Sequence, residues 1–348
     1  MTWTLLKARE SFSRYSQQWD ELNAVQGSPI LLDSAFVAPL VRAFANDNTL
    51  LAISGDKNQP TMALLNPNRM GFWQTFQPSQ APLGLVVIAN TKNVTEQIYD
   101  LVYSLPGFAL GFSVLQQDPD WSSFSKLESS PKIEKVEWRT TARVTLEGTF
   151  ADYWRLRGRK LVRELARQRR RLAESGANLE MIATRDPYQV AECVREYGVI
   201  EENGWKGKAG TAVSERNPQG MFYREMLENF CRRGEGVIYR LLLNGRTVAC
   251  ELCIQRGETL VDLKTTYDET IPGISPGSLL QEEMLRAFFN ERHIRVVEFY
   301  GPVIDWTRRW TDEFRDMCHI NFYRYGWVRQ TRNLLKSVWG GTKATDTE

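Results

Sequence analysis

Asn244-Gly245 constrains this chain most. It lies between two apolar runs, Gly236 to Leu243 and Arg246 to Gln255. Both residues tolerate positive φ, so the pair predicts a two-residue hairpin turn between antiparallel strands. A third strand follows from Leu260 to Asp268, then a loop, Glu269 to Ser275. Ser275-Pro276-Gly277-Ser278 opens a helix to Arg292, with Leu280, Met284, Ala287 and Phe288 as its buried stripe. Arg295 to Tyr300 is a further strand. The order hairpin, strand, helix, strand makes the last two strands parallel neighbours.

The rest of the chain sets the class. Its 348 residues suggest two domains, and 42% hydrophobic with 25% charged residues is ordinary for a globular protein. A formal net charge of +2 is not that of a chain built throughout to bind nucleic acid. No apolar run approaches the roughly 20 residues of a membrane span. The first residues, Met1 to Lys7, show no signal-peptide order. The expected location is therefore the cytoplasm. Five scattered cysteines (Cys193, Cys231, Cys250, Cys253 and Cys318) predict reduced thiols rather than a disulfide framework. Cys250 and Cys253 are spaced as C-x-x-C, but on a strand, where residues three apart face opposite ways. With His293 and His319 the only histidines, no metal site is expected.

The first part, to about residue 145, reads as mixed short strands and helices. The helices are Ala35–Ala45 and Val94–Ser104; the strands are Leu50–Ser54, Thr61–Leu65, Phe108–Leu115 and Val136–Leu146. Thr149 to Gly176 reads as one long helix. Between Arg155 and Arg171 it carries nine basic residues opposed only by Glu164. That is a solvated face or a face turned to an anion: a phosphate-bearing substrate, RNA or an acidic membrane surface. Helices are also expected at Pro187–Glu202 and Gly220–Arg233.

Chemistry concentrates around the third strand. Strict alternation puts Asp262, Lys264, Thr266 and Asp268 on one face, so that Asp262 and Lys264 either pair or line a cleft. At the helix start Ser275 can cap, Pro276 suits the first turn and Gly277 removes a side chain. An anion such as a diphosphate could then approach the backbone amides.

These motifs resemble the GNAT N-acyltransferases, and more narrowly the CelD/BcsL-type acetyltransferases related to the FemAB peptidyltransferases. Lys160 to Gly176 is similar to that family's basic helix. Glu202-Asn203-Gly204-Trp205-Lys206-Gly207 with Gly210 is similar to its E-x-x-W-K-G-x-x-G segment, followed by Phe222-Tyr223. Asn244-Gly245, Tyr267-Asp268 and Ser275-Pro276-Gly277-Ser278-Leu279-Leu280 also match, and Gly301 and Trp310 fit its end. Asp305-Trp306 and Arg309 depart from its usual Tyr-Lys. The resemblance implies an α/β (α+β) fold of tandem GNAT-like domains, mixed sheets flanked by helices, with a degenerate first half. The expected domains are residues 1–145 and 146–340, with a flexible tail at 341–348.

It also implies a donor, acetyl-CoA or another acyl-CoA, held by Ser275, Pro276, Gly277, Ser278 and Thr266, its arm entering where the two parallel strands splay. Glu202 and Asp305 are the candidate bases, and Tyr267 or Tyr223 the donor to the departing sulfur. Trp205, Lys206, Lys264, Asp268 and Trp306 are the candidate acceptor contacts. The implied acceptor is an amine, an amino sugar of surface polysaccharide synthesis on a nucleotide or lipid diphosphate. The Arg155–Arg171 helix would meet the diphosphate, a tRNA or the inner membrane face. Two alternatives stand beside this: a FemAB-like transferase drawing an amino acid from tRNA, and a non-catalytic GNAT-shaped scaffold of a polysaccharide machine.

Overall fold

The computed structural model describes residues 3–55, 60–89 and 93–339, with side chains to residue 334. The expected tail at 341–348 and most of the turn at 55–60 lie outside the described residues. The chain forms two units. One comprises Met1–Val41, Ala45–Arg139 and Asp316–Glu348; the other comprises Arg42–Phe44 and Thr140–Arg315.

The first unit runs β1 (Trp3–Lys7), α1 (Ala8–Val25), α2 (Ser34–Phe44), β2 (Leu50–Ser54), β3 (Thr61–Pro67), β4 (Phe72–Thr75), β5 (Val86–Ile88), α3 (Val94–Ser104), β6 (Gly111–Gln117) and the start of β7 (Ile133–Thr145). Strands β1 to β4 pair antiparallel in order. β4 then lies parallel to β6. α3 buries Ile98, Leu101 and Val102 with Phe112 and Val114 of the sheet, which shields the apolar face of both from water.

The second unit continues through α4 (Phe150–Leu156), α5 (Arg159–Glu174), β8 (Leu179–Thr184), α6 (Val190–Asn203), α7 (Trp205–Lys208), α8 (Pro218–Arg232), β9 (Gly236–Leu243), β10 (Arg246–Arg256), β11 (Thr259–Tyr267), α9 (Pro276–Glu291), β12 (Val296–Phe299) and α10 (Asp305–Arg308). β8, β9, β10 and β11 pair antiparallel, β11 lies parallel to β12, and β12 is antiparallel to the end of β7. The Asn244-Gly245 turn has φ of 50° and 81°, as the hairpin requires. The α9 residues Leu280, Met284 and Phe288 pack with Val237, Leu241 and Leu260 in one core. The expected fold class holds: mixed sheets flanked by helices.

One expectation changes. The long helix is two, because Arg157 is extended (ψ 153°) and Gly158 caps α5. The expected domain 146–340 stands beside a second unit whose last residue is Arg315. The strand β13 (Glu313–Tyr323) pairs antiparallel with β6 from Cys318 onward, and that pairing places it in the first unit. The helix α11 (Gly326–Trp339) follows it.

Candidate active site

The site is built on β11. Its pairing with β10 shifts register between Leu252 and Cys253: Leu252 faces Lys264 and Cys253 faces Asp262, leaving Leu263 as the extra residue. A bulge of this kind breaks the period of two. Asp262 and Lys264 therefore turn to opposite faces, so that of the two alternatives, a pair or a cleft lining, the pair does not form. The parallel pairing of β11 with β12 stops at Asp262–Phe299, while β11 runs on to Tyr267. β12 ends at Phe299, paired along its whole length, so the last residues of β11 run on without a β12 partner.

On the face toward α6, Lys264 enters a buried cluster around Glu201. The Glu201 carboxylate accepts hydrogen bonds from Tyr197 Oη (2.8 Å), the Val213 amide (2.8 Å), Lys264 Nζ (3.3 Å) and Lys206 Nζ. Lys264 Nζ lies 5.8 Å from the Tyr197 ring centroid and 5.7 Å from that of Tyr223. Burial by itself would raise the Glu201 carboxyl, but Lys264 and Lys206 outweigh it and hold it below the usual range. Burial lowers Lys264, partly offset by Glu201. Burial raises Tyr197 and Tyr223, so both keep their protons.

The expected base Glu202 is the neighbour of Glu201 and does not join this cluster. Glu202 is exposed on α6 and Glu201 is buried. The signal was available: Val190, Cys193, Val194 and Tyr197 form a stripe at helical spacing, and Glu201 is its next position. Trp205 and Lys206 are brought to the cluster by α7. They line a small cleft with Glu201, Thr265, Thr266 and Tyr267. α7 needs Gly207, since a Cβ there would sit 1.9 Å from the Glu202 carbonyl oxygen.

On the opposite face lies an acidic group that sequence reasoning missed as a site. Glu251 is fully buried with both carboxyl oxygens unpartnered. Asp262 Oδ1 is also unpartnered, and Oδ2 accepts from Thr265 Oγ1 at 3.1 Å. Burial pushes the Asp262 carboxyl up to about 7, and burial with Asp262 nearby drives Glu251 well above the carboxylate range. With Cys253 these side chains place ligand atoms within 4.8 Å of one another, close enough to hold a small cation or to share a proton.

The start of α9 differs from expectation. Pro276, Gly277 and Ser278 are buried. The Tyr267 ring lies 3.0 Å from where a Gly277 Cβ would be, and Tyr267 itself is 44% exposed. Ser275 does not cap the helix through its side chain. Its amide donates to Gln168 Oε1 at 2.8 Å, and Gln168 Nε2 donates to its hydroxyl at 3.3 Å. At the expected diphosphate cradle the Ser275 amide is thus taken by Gln168, and the Tyr267 ring lies beside Gly277.

Three further candidates lie elsewhere. Asp268 accepts from Arg246 and from the Thr270 amide (2.9 Å) and hydroxyl (2.6 Å), so it closes the turn after β11. Trp306 packs edge-on to Phe299 at 6.0 Å and beside Trp310. Asp305 lines a separate cavity of about 1080 Å³ with Lys160, Arg163, Glu164, Arg167, Arg308 and Arg309. Five cations face two acids there, and Arg309 is tied to Glu164 at 3.0 Å. Three other cations of the basic segment are paired. Arg169 bonds Glu282 and Glu283, Arg170 pairs with Glu174, and Arg157 with Asp312.

A bulged β11 that runs past the end of β12, in a mixed sheet flanked by helices, is the arrangement of a GNAT-like fold. Residues 159–308 match the family model of the acetyltransferase (GNAT) domain. No curated protein matches the chain. Among solved structures, FemX superposes with a TM-score of 0.56 at 10% identity, covering 97% of this chain and 100% of that one. The DUF2156 C-terminal domain of a protein described as a lysylphosphatidylglycerol synthetase, from Agrobacterium fabrum, gives 0.55 at 13%, covering 94% and 98%. L-PGS from Bacillus licheniformis gives 0.52 at 12%, covering 92% and 97%. At these identities the likeness is one of fold.

Proposed function

We propose that this protein passes an acyl group from an acyl-CoA thioester to an amine on a diphosphate-bearing acceptor, an amino sugar of surface polysaccharide synthesis as in the CelD/BcsL-type enzymes. The observation that carries this reading is that β11 runs on from Asp262 to Tyr267 past the end of β12 at Phe299. The amine nitrogen bonds to the thioester carbon, the C–S bond breaks, and the amine proton must leave. Asp262 stands at the last β11–β12 pair, with an unpartnered oxygen and a proton affinity near neutrality, which suits a general base. Tyr267, at the open end of β11, protonates the departing thiolate. Glu201 is held ionised by two lysines and is a poor base; it fixes Lys264 and Lys206 toward the acceptor's polar groups. The cavity of Lys160, Arg163, Arg167, Arg308 and Arg309 takes the diphosphate.

A second reading, with aminoacyl-tRNA as donor, is favoured by the covered start of α9. Calorimetry separates the two. Acetyl-CoA is expected to bind, and Tyr267→Ala, by uncovering Gly277, is expected to tighten that binding about tenfold while slowing turnover. No CoA binding by either protein, together with salt-sensitive binding of aminoacyl-tRNA, would replace the first reading with the second.

A further inference from the structure

The first unit carries an exposed aromatic and aliphatic patch that the proposed chemistry does not use. Phe108 is 62% exposed and Trp327 58%, and Tyr325 stands between them. The rings form a ladder: Phe108 and Tyr325 are stacked at 6.4 Å, Tyr325 and Trp327 at 6.0 Å with planes 8° apart. Leu334, two turns along the same stripe of α11, is 67% exposed. Met70 is 78% exposed on a turn whose next residue, Gly71, accepts a hydrogen bond from the Leu110 amide and lies against the Phe108 carbonyl. Large apolar side chains gathered in this way mark a contact surface.

Charge says what covers it. The stretches 67–73, 103–110 and 324–334 contain Arg69, Arg324, Arg329 and Arg332 and no acidic residue. Arg324 lies over the Phe108 ring at 4.2 Å and the Tyr103 ring at 4.5 Å, within the patch. A second copy would bring the same cations against themselves. A nucleic acid would want free ring faces for stacking, but these rings turn their faces to one another and to Arg324. Met70 and Leu334 offer a base nothing, whereas aliphatic and aromatic edges ringed by arginine suit the headgroup–acyl boundary of an anionic bilayer.

We propose that the chain docks on anionic lipid surfaces through Phe108, Tyr325, Trp327, Leu334 and Met70, with the surrounding arginines meeting the headgroups. The inference is independent of the transferase reading, since its test uses no substrate. The full-length protein is sedimented with phosphatidylcholine vesicles, with and without one part in three of phosphatidylglycerol. Binding is expected only to the anionic vesicles, with release by salt. Trp327→Ala and Phe108→Ser, each checked for an unchanged circular dichroism spectrum, should weaken it about tenfold. The proposal falls if the protein ignores anionic vesicles, or if both variants bind as well as the parent. It falls equally if binding is lost only in Arg170→Glu/Arg171→Glu on α5, or if Trp327→Ala abolishes binding of bulk tRNA in a protein that ignores vesicles.

Discussion

The Glu251–Asp262 pair has a sign that can be measured. Burial raises Asp262 from 3.8 to about 7, so between those values the folded protein holds a proton that the unfolded chain has released. Stability from this source is whole in acid and declines as pH rises toward 7, the reverse of a salt-bridged aspartate. Asp262→Asn with Glu251→Gln should raise Tm by a few degrees at pH 8 and change it little at pH 4, in melts followed by calorimetry. Equal changes at both pH values would refute the account. Asp262→Asn alone should cost about a hundredfold or more in transfer rate if Asp262 accepts the amine proton. Little of this was legible beforehand. Alternation alone leaves Asp262 to pair with Lys264 or to line a cleft, and Glu251 falls within an apolar run.

The same ambiguity has its cause one scale up. Alternation along Leu260 to Asp268 is real in the sequence, but one bulged residue reverses its meaning from Leu263 onward. Nothing in a single strand's composition announces a bulge, which is decided by how it registers against its neighbour. The shifted register leaves Lys264 opposite Leu252 on the α6 side, where Glu201 holds it. Lys264→Met would leave Glu201 with Lys206 alone, and breaking a buried pair costs about 3–5 kcal/mol. The expected result is a clear fall in the denaturant midpoint; an unchanged midpoint would mean that the Lys264–Glu201 pair does not hold α6 to the sheet. Elsewhere elements were legible. α3 falls at Val94–Ser104 as expected, and the hairpin turns at Asn244-Gly245, because periodicity and turn chemistry are local. The break at Arg157–Gly158 was not legible, since apolar and basic residues continue through it at helical spacing.

At the scale of the molecule, a net charge of +2 conceals a strongly basic cavity. Charge that is neutral in sum can still be separated in space, and the local field is what a ligand meets. Arg163→Glu with Arg167→Glu should weaken binding of a nucleoside diphosphate sugar by more than tenfold, while acetyl-CoA binding changes little. A matched loss of both ligands would mean that the cavity serves the donor instead. The basic run was visible in the sequence. Which of its cations are spent on Glu282, Glu283, Glu174 and Asp312, and which face the cavity, was not.

The sequence alone determined the order of elements in the second unit, the parallel β11–β12 pair and the glycine-led entry to α9, because each follows from contacts between residues near in the chain. Tertiary structure alone decided that Glu201 rather than Glu202 holds the two lysines. It also decided that Tyr267 lies against Gly277, and that Asp262 and Glu251 come together with three of their four carboxyl oxygens unpartnered. Those outcomes depend on which side chains distant segments bring together, and on how far that meeting excludes water.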